Sequence, residues 1–185
     1  MTVILGIAGS LRRGSYNGAL LRAIAELAPE TVELEIASIH GIPLYDGDVE
    51  TGSGIPAVVS ALKDRIASCD ALLLVTPEYN NSLPGVFKNA VDWLSRPPND
   101  IPRVFGNRPV ALCGATPGPG ATNFAQAAWL PVLRALGVRP WLGRILAVPT
   151  ASKVFDEAGV LIDDKVRERA RAFIAGFAEF AAGTK

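Results

Sequence analysis

The chain has 185 residues, 49% of them apolar and 19% charged, with 18 basic residues balanced by 18 acidic ones. A fold of roughly 150 to 200 residues buries about 70% of its unfolded surface, enough for a core without disulfide or metal staples, so one globular domain is expected over residues 1–185. Zero net charge offers no electrostatic footprint for nucleic acid, and no apolar run approaches the roughly 20 residues of a membrane-spanning helix.

Residues 3–8 form an apolar run bounded by Gly9-Ser10. Continuous rather than alternating hydrophobicity is the mark of a strand covered on both faces, as in a parallel sheet. Further strand candidates recur at 32–36, where Glu33 and Glu35 interrupt the apolar residues, at 71–76, 109–115 and, in two pieces, 138–142 and 145–148. Between them lie segments with helical spacing: Leu20, Leu21, Ile24 and Leu27; Val58, Val59, Leu62 and Ile66; and Leu83, Val86, Phe87, Ala90, Val91 and Leu94. Pro131 falls inside a helical stretch at 123–136 and is expected to kink or split it. Segments 96–108 and 149–162 read as loops, with a small hairpin expected around Glu157 to Gly159. The last helix carries Val166, Ala170, Phe173, Ile174, Phe177, Phe180 and Ala181 on one stripe, with Asp163 or Asp164 as its cap. Alternation of strand and helix predicts an α/β fold: one open parallel sheet with helices on both faces, joined by right-handed crossovers.

Cys69 and Cys113 lie in or beside apolar segments, with no C-x-x-C spacing and no nearby histidine, and are expected to be small buried hydrophobes. One histidine, His40, cannot build a histidine-rich metal site or triad. The N-terminus lacks the features of a signal peptide, so a cytoplasmic protein is expected.

Ligands of open parallel sheets bind beyond the carboxyl ends of the strands. The first such loop is Gly9-Ser10-Leu11-Arg12-Arg13-Gly14-Ser15-Tyr16-Asn17, leading into a helix. Ser10, Ser15 and Asn17 supply neutral donors, Arg12 or Arg13 supplies charge, and the helix end supplies N–H groups; that set suits a phosphate dianion. A triphosphate loop is excluded because Ser15-Tyr16 stands where lysine and a hydroxyl residue are needed. A dinucleotide fingerprint is excluded because the glycines are Gly6, Gly9 and Gly14 and the second strand ends without an acidic residue. A site for one terminal phosphate monoester survives, alongside an ordinary turn in which Ser15 or Asn17 merely caps the helix.

After the third strand comes Thr76-Pro77-Glu78-Tyr79-Asn80-Asn81-Ser82-Leu83-Pro84-Gly85. Pro77 stops the strand, Ser82 is a candidate helix cap, and Pro84 falls in the first turn, where a missing N–H costs little. Such a rigid loop suits a planar heteroaromatic ring held by backbone and Asn80, with Tyr79 beside it. The alternative makes Tyr79 a surface aromatic and Asn80-Asn81 plain turn formers.

Together these two loops resemble the NADPH-dependent FMN reductase family, which includes bacterial chromate, quinone and azo reductases. The likeness is carried by 9–17 and 76–97, above all Pro77-Glu78-Tyr79-Asn80 and Pro84-Gly85 with Lys88-Asn89-Ala90-Val91-Asp92-Trp93, and more weakly by 42–48. The resemblance implies a flavodoxin-like three-layer sandwich with a five-stranded sheet of order 2-1-3-4-5. It implies that Ser10, Arg12, Ser15, Tyr16 and Asn17 surround the phosphate of FMN, and that Pro77, Glu78, Tyr79 and Asn80 line its ring. It further implies that NADPH or NADH passes hydride to flavin N5, and that a small-molecule acceptor such as free FMN, a quinone, chromate or an azo compound takes the electrons, with no catalytic side chain and with a homodimer or homotetramer whose second subunit helps enclose the flavin. The departure is the third loop, 115–122: Thr116 can serve as the family's ring-side hydroxyl, but Pro117 and Pro119 replace flexible positions. Trp129 and Trp141 are expected in core or interface packing, and Asp46 and Asp48 in loop solvation or subunit contacts, not in a metal pair. Two rivals remain. A single-electron carrier of the flavodoxin type tends to be strongly acidic, which this chain is not, and a non-catalytic flavin sensor would bind without turnover.

Overall fold

In the computed structural model, which describes residues 1–183, the elements run β1 (Thr2–Ala8), α1 (Tyr16–Glu26), β2 (Val32–Ala37), α2 (Gly47–Ser53), α3 (Ala57–Ser68), β3 (Ala71–Val75), α4 (Gly85–Leu94), α5 (Ile101–Val104), β4 (Pro109–Ala115), α6 (Asn123–Ala135), β5 (Arg139–Val148) and α7 (Asp164–Ala182). The strands form one parallel sheet of order β2-β1-β3-β4-β5, the order implied by the resemblance. Alternate residues of each buried strand point to opposite faces. Ala71, Leu73 and Val75 of β3 and Ala111, Cys113 and Ala115 of β4 meet α1 and α7. Leu72, Leu74, Val110 and Leu112 meet α3, α4 and α6. Three layers result, with two cores separated by the sheet. Among the described residues, no helix is long and apolar enough to cross a membrane.

Three local expectations change and a fourth, at Pro131, is narrowed. The two apolar pieces before residue 149 are one strand, β5, whose register slips so that Ala111 faces Trp141 while Cys113 faces Leu146; residues 142–145 bulge outward and are exposed. Pro131 lies within a single helix, α6. The bond it forfeits would reach the carbonyl of Ala127, and both residues are exposed, so water can take the place of the missing donor. Segment 96–108 is not all loop: a 3-10 turn at Pro98–Asp100 precedes α5, and the buried Lys63 ties this region to α3 through an ion pair with Asp100 at 2.5 Å. Hydrogen bonds from Arg103, then Lys63, hold the Asp100 carboxyl well below the usual carboxylate range. Helix α2, absent from the sequence reading, is capped by Asp46 and anchored by an Arg96–Glu50 pair at 2.8 Å.

Other expectations hold. Phe155 bridges Leu161 across a small hairpin, with Gly159 at φ 80°, where glycine alone is unstrained. Asp163 caps α7 by accepting from Val166 N at 2.9 Å. Both cysteines are buried, and burial pushes both thiols up from their ordinary values. Trp129 is fully buried and Trp141 packs on Phe173 and Phe177.

Candidate functional site

The parallel register brings Ala8, Val75 and Ala115 to the same sheet edge, so the loops after β1, β3 and β4 converge. Strand order reverses between β1 and β3, which opens a crevice there. One cleft occupies it, walled by Ser10, Arg12, Ser15, Tyr16, Asn17, Pro77, Glu78, Tyr79, Ala115, Thr116 and Pro117. Nine of the ten residues expected at the site therefore meet in one place.

The first loop is held from behind. Gly9 N donates to Val75 O at 2.9 Å, and a Cβ on Gly9 would fall 2.1 Å from the Phe87 ring of α4, so only glycine lets the loop lie this close. Ser10 Oγ accepts from Arg12 N at 3.3 Å, and Ser15 N donates to Arg12 O at 3.2 Å. Ser15 is the N-cap of α1, its Oγ accepting from Gly18 N at 3.3 Å. Because each serine oxygen accepts from the backbone, each hydroxyl proton stays available as a donor. The capping role of Ser15 and a binding role are compatible rather than exclusive. The first-turn N–H groups of Tyr16 and Asn17 have no place in the helix ladder, and no acidic residue stands in that turn to offset the positive helix end. Arg12 and Arg13 make no ion pair among the described residues; Arg12 lines the cleft and Arg13 does not.

Asn17 does more than line the wall. Its Nδ2 donates to Ala115 O and its Oδ1 accepts from Ala115 N, both at 2.9 Å. A single carboxamide thus clamps the start of α1 to the end of β4, leaving one Nδ2–H for the cleft. Tyr16 stacks on Phe155 at 6.1 Å, which fixes its ring against the hairpin.

The second loop is a tight turn. Tyr79 and Ser82 exchange backbone hydrogen bonds at 3.0 Å each, with Asn80 at φ 51° and Asn81 at φ 58°. Two successive left-handed residues make a type I′ turn, where asparagine is among the best-tolerated residues. Asn80 is the one expected site residue that does not line the cleft: its place is the exposed turn tip. Ser82 closes the turn and does not cap α4, whose N-cap is Pro84. Behind the turn, Thr76 is buried; its Oγ1 accepts from Trp129 Nε1 at 3.0 Å and donates to Pro77 O at 2.9 Å. Glu78 Oε2 accepts from Ala125 N at 2.9 Å.

The third loop is stiffened by its neighbours as well as by its prolines. Thr116 N donates to Val148 O, Ala151 N to Thr116 O, and Thr150 N to Gly118 O, each at 3.0 Å. Thr116 Oγ1 accepts from Gly118 N at 3.4 Å and faces the cleft. Sequence reasoning set Ala115 and Pro117 in the ring-side third loop without naming them as site residues, and gave α6 no part in the site. Their position next to Thr116 was a signal for the first two; nothing local to α6 marked it.

The donor set fits a phosphate monoester: two hydroxyl protons, one carboxamide proton, helix-end N–H groups and an unpaired guanidinium, facing a wall of Pro77, Tyr79 and Thr116. The cleft holds about 190 Å³.

Comparison with known proteins agrees with this geometry. Residues 2–153 match the family described as NADPH-dependent FMN reductase. An NAD(P)H-dependent FMN reductase of Pseudomonas aeruginosa is 44% identical over 165 residues, 89% of this chain and 87% of that protein. A quinone reductase of Escherichia coli K12 is 35% identical, with 96% of this chain and 94% of that protein covered. Among solved structures, the flavoenzyme NAD(P)H:(acceptor) oxidoreductase FerB of Paracoccus denitrificans superposes with a TM-score of 0.87 at 30% identity, covering 99% of this chain and 98% of that one.

Proposed function

The chain belongs to the NADPH-dependent FMN reductase family, and on that footing we propose that its cleft binds FMN and that it oxidises NADPH or NADH at the expense of a quinone or flavin. The observation that carries the reading is the joining of a phosphate-type donor set and a proline-braced wall in one cleft. Ser10, Arg12, Ser15, Tyr16 and Asn17 hold the phosphate, through two hydroxyls, one guanidinium and helix-end N–H groups. Pro77 and Tyr79 form one side of the ring site and Thr116 the other, with the Glu78 carboxylate engaged by α6 behind them.

When bound, FMN supplies a hydride-accepting N5 and storage for two electrons between donor and acceptor. The chain's own part is placement. The type I′ turn fixes Tyr79 and the tethered third loop fixes Thr116 in the wall of one cleft, and together they would orient a bound ring. No side chain has to exchange a proton with the substrate. Chromate and azo compounds belong in the acceptor panel.

A volume of about 190 Å³ is below the roughly 300 to 1,000 Å³ of sites that enclose a ligand this large. A flavin seated here keeps part of its ring outside the cover this chain provides. We therefore propose a homodimer or homotetramer in which a second subunit completes the cover, each copy acting as one flavin-binding unit in the cytoplasm. Light scattering on the eluting protein reads the subunit number, and a monomer that holds FMN overturns it.

The decisive experiment is titration of apoprotein with FMN, followed by steady-state NADPH oxidation with a benzoquinone and no other protein added. Bound yellow flavin and turnover support the reading. Folded protein that takes up no FMN ends it, while tight FMN binding without turnover on any acceptor leaves a sensor.

A further inference from the structure

Helix α6 reaches the ring-side turn twice, from positions one helical turn apart on the same face. Its Ala125 N–H donates to Glu78 Oε2 at 2.9 Å, and its Trp129 Nε1 donates to Thr76 Oγ1 at 3.0 Å. Thr76 and Glu78 flank Pro77, and Thr76 Oγ1 donates in turn to the Pro77 carbonyl at 2.9 Å. Pro77 is therefore held from both sides by one rigid element.

The cap on α6 is borrowed. Thr122 occupies the N-cap position but makes no side-chain cap bond, its Oγ1 being engaged by Gln126 Nε2 at 3.0 Å. No acidic residue stands in the first turn of α6. The carboxylate that fills the role comes from 47 residues away. It sits at the positive end of a 13-residue helix, where a negative charge is favoured.

We propose that Glu78 is a positioning residue: its carboxylate fixes the distance between α6 and the Pro77–Tyr79 wall and acts on the flavin only through that wall. The inference rests on the FMN reading above. Its consequence is that reach matters more than charge at position 78. Gln keeps an oxygen at the same reach and can accept from Ala125 N; Asp keeps the charge but is one methylene too short.

The test compares Glu78→Gln with Glu78→Asp in the full-length protein by three readouts: the FMN dissociation constant of apoprotein from flavin fluorescence, visible circular dichroism of the bound flavin, and the anaerobic single-turnover rate of flavin reduction by NADPH. Both variants bind FMN within about threefold of the parent, because the phosphate contacts are untouched. Glu78→Asp slows reduction by roughly tenfold and alters the dichroism, since a small misplacement of the ring is costly. Glu78→Gln restores both. A Gln variant as impaired as the Asp variant, or an Asp variant indistinguishable from the parent, overturns the proposal. Should Glu78→Asp fold poorly, Thr76→Val against Thr76→Ser examines the second tether in the same way: Val slows reduction and Ser restores it, and a Val variant that matches the parent counts against the brace. A parent protein that binds no FMN defeats the functional reading itself and is seen before any variant is compared.

Discussion

Replacing Asn17 by alanine removes both partners of one buried backbone residue. Asn17 is 4% exposed and Ala115 is 2% exposed, and the two bonds between them are 2.9 Å long. Each buried backbone group left without a partner costs about 1 to 3 kcal/mol. Ala115 borders the cleft, so water can reach part of the vacated space, and the expected loss is about 2 to 4 kcal/mol. For a chain of this length each kcal/mol lowers Tm by roughly 2 to 4 °C, so Asn17→Ala apoprotein is expected to melt roughly 5 to 15 °C lower than the parent. Asn17→Asp adds a signature. Its ionised carboxylate can accept from Ala115 N but faces Ala115 O without a proton to donate; protonated, it donates again. The protonated form is favoured in the fold, which raises that carboxyl above its unfolded value, so the variant regains stability relative to the parent as pH falls from 7 toward 4. Far-UV circular dichroism melts at both pH values read the two effects. An Asn17→Ala melt within about 2 °C of the parent, or an Asn17→Asp deficit independent of pH, refutes the clamp.

Three further outcomes are expected. Arg12→Ala weakens FMN about tenfold, the lower end for a charge-assisted contact because the side chain is exposed, while Arg13→Ala changes it less than about twofold; riboflavin, lacking the phosphate, shows no such difference, and an equal loss with riboflavin refutes phosphate contact. Gly9→Ala drives a methyl into the buried Phe87 ring and costs about 1 to 3 kcal/mol, whereas Gly14→Ala, with nothing within 4 Å, leaves Tm unchanged; equal melts count against close packing. Because Asp100 is held below the usual carboxylate range by Arg103 and Lys63, its contribution is complete above its unfolded value near 4 and is lost as pH falls below that. Asp100→Asn therefore flattens the acid limb of the stability profile, and an unaltered limb refutes the assignment.

The central strands β1, β3 and β4 were legible because burial on both faces demands uninterrupted apolar runs, a pattern local to each strand; the edge strands β2, interrupted by Glu33 and Glu35, and β5, exposed over 142–145, follow it only in part. A local pattern likewise marked α1, α3, α4 and α7, whose stripes reflect a single buried side. The two cleft loops were legible for a different reason: Ser15, Pro77 and Asn80-Asn81 each satisfy a backbone requirement that is itself local, a cap, a strand stop or two left-handed turn positions. For Asn80 the sequence left two roles open, because the residue types that suit a turn tip are also those that suit a ligand edge, and the exposed tip it occupies is compatible with both. Of the two outcomes expected at Pro131, splitting is excluded, because the cost of a missing hydrogen bond depends on whether water can reach the orphaned carbonyl, and exposure is a property of the whole fold.

The amino-acid order alone settled which segments would be strands, which loops would wall the cleft and which family the chain resembles, since these depend on neighbours within a few positions. Only the folded chain decided that Asn17 clamps Ala115, that Phe87 forbids a side chain at Gly9, and that a helix beginning at Asn123 braces a turn at Pro77. Those contacts join residues about 45 to 100 positions apart, and no local propensity reports which distant carboxylate will stand in when a helix's own cap is engaged elsewhere.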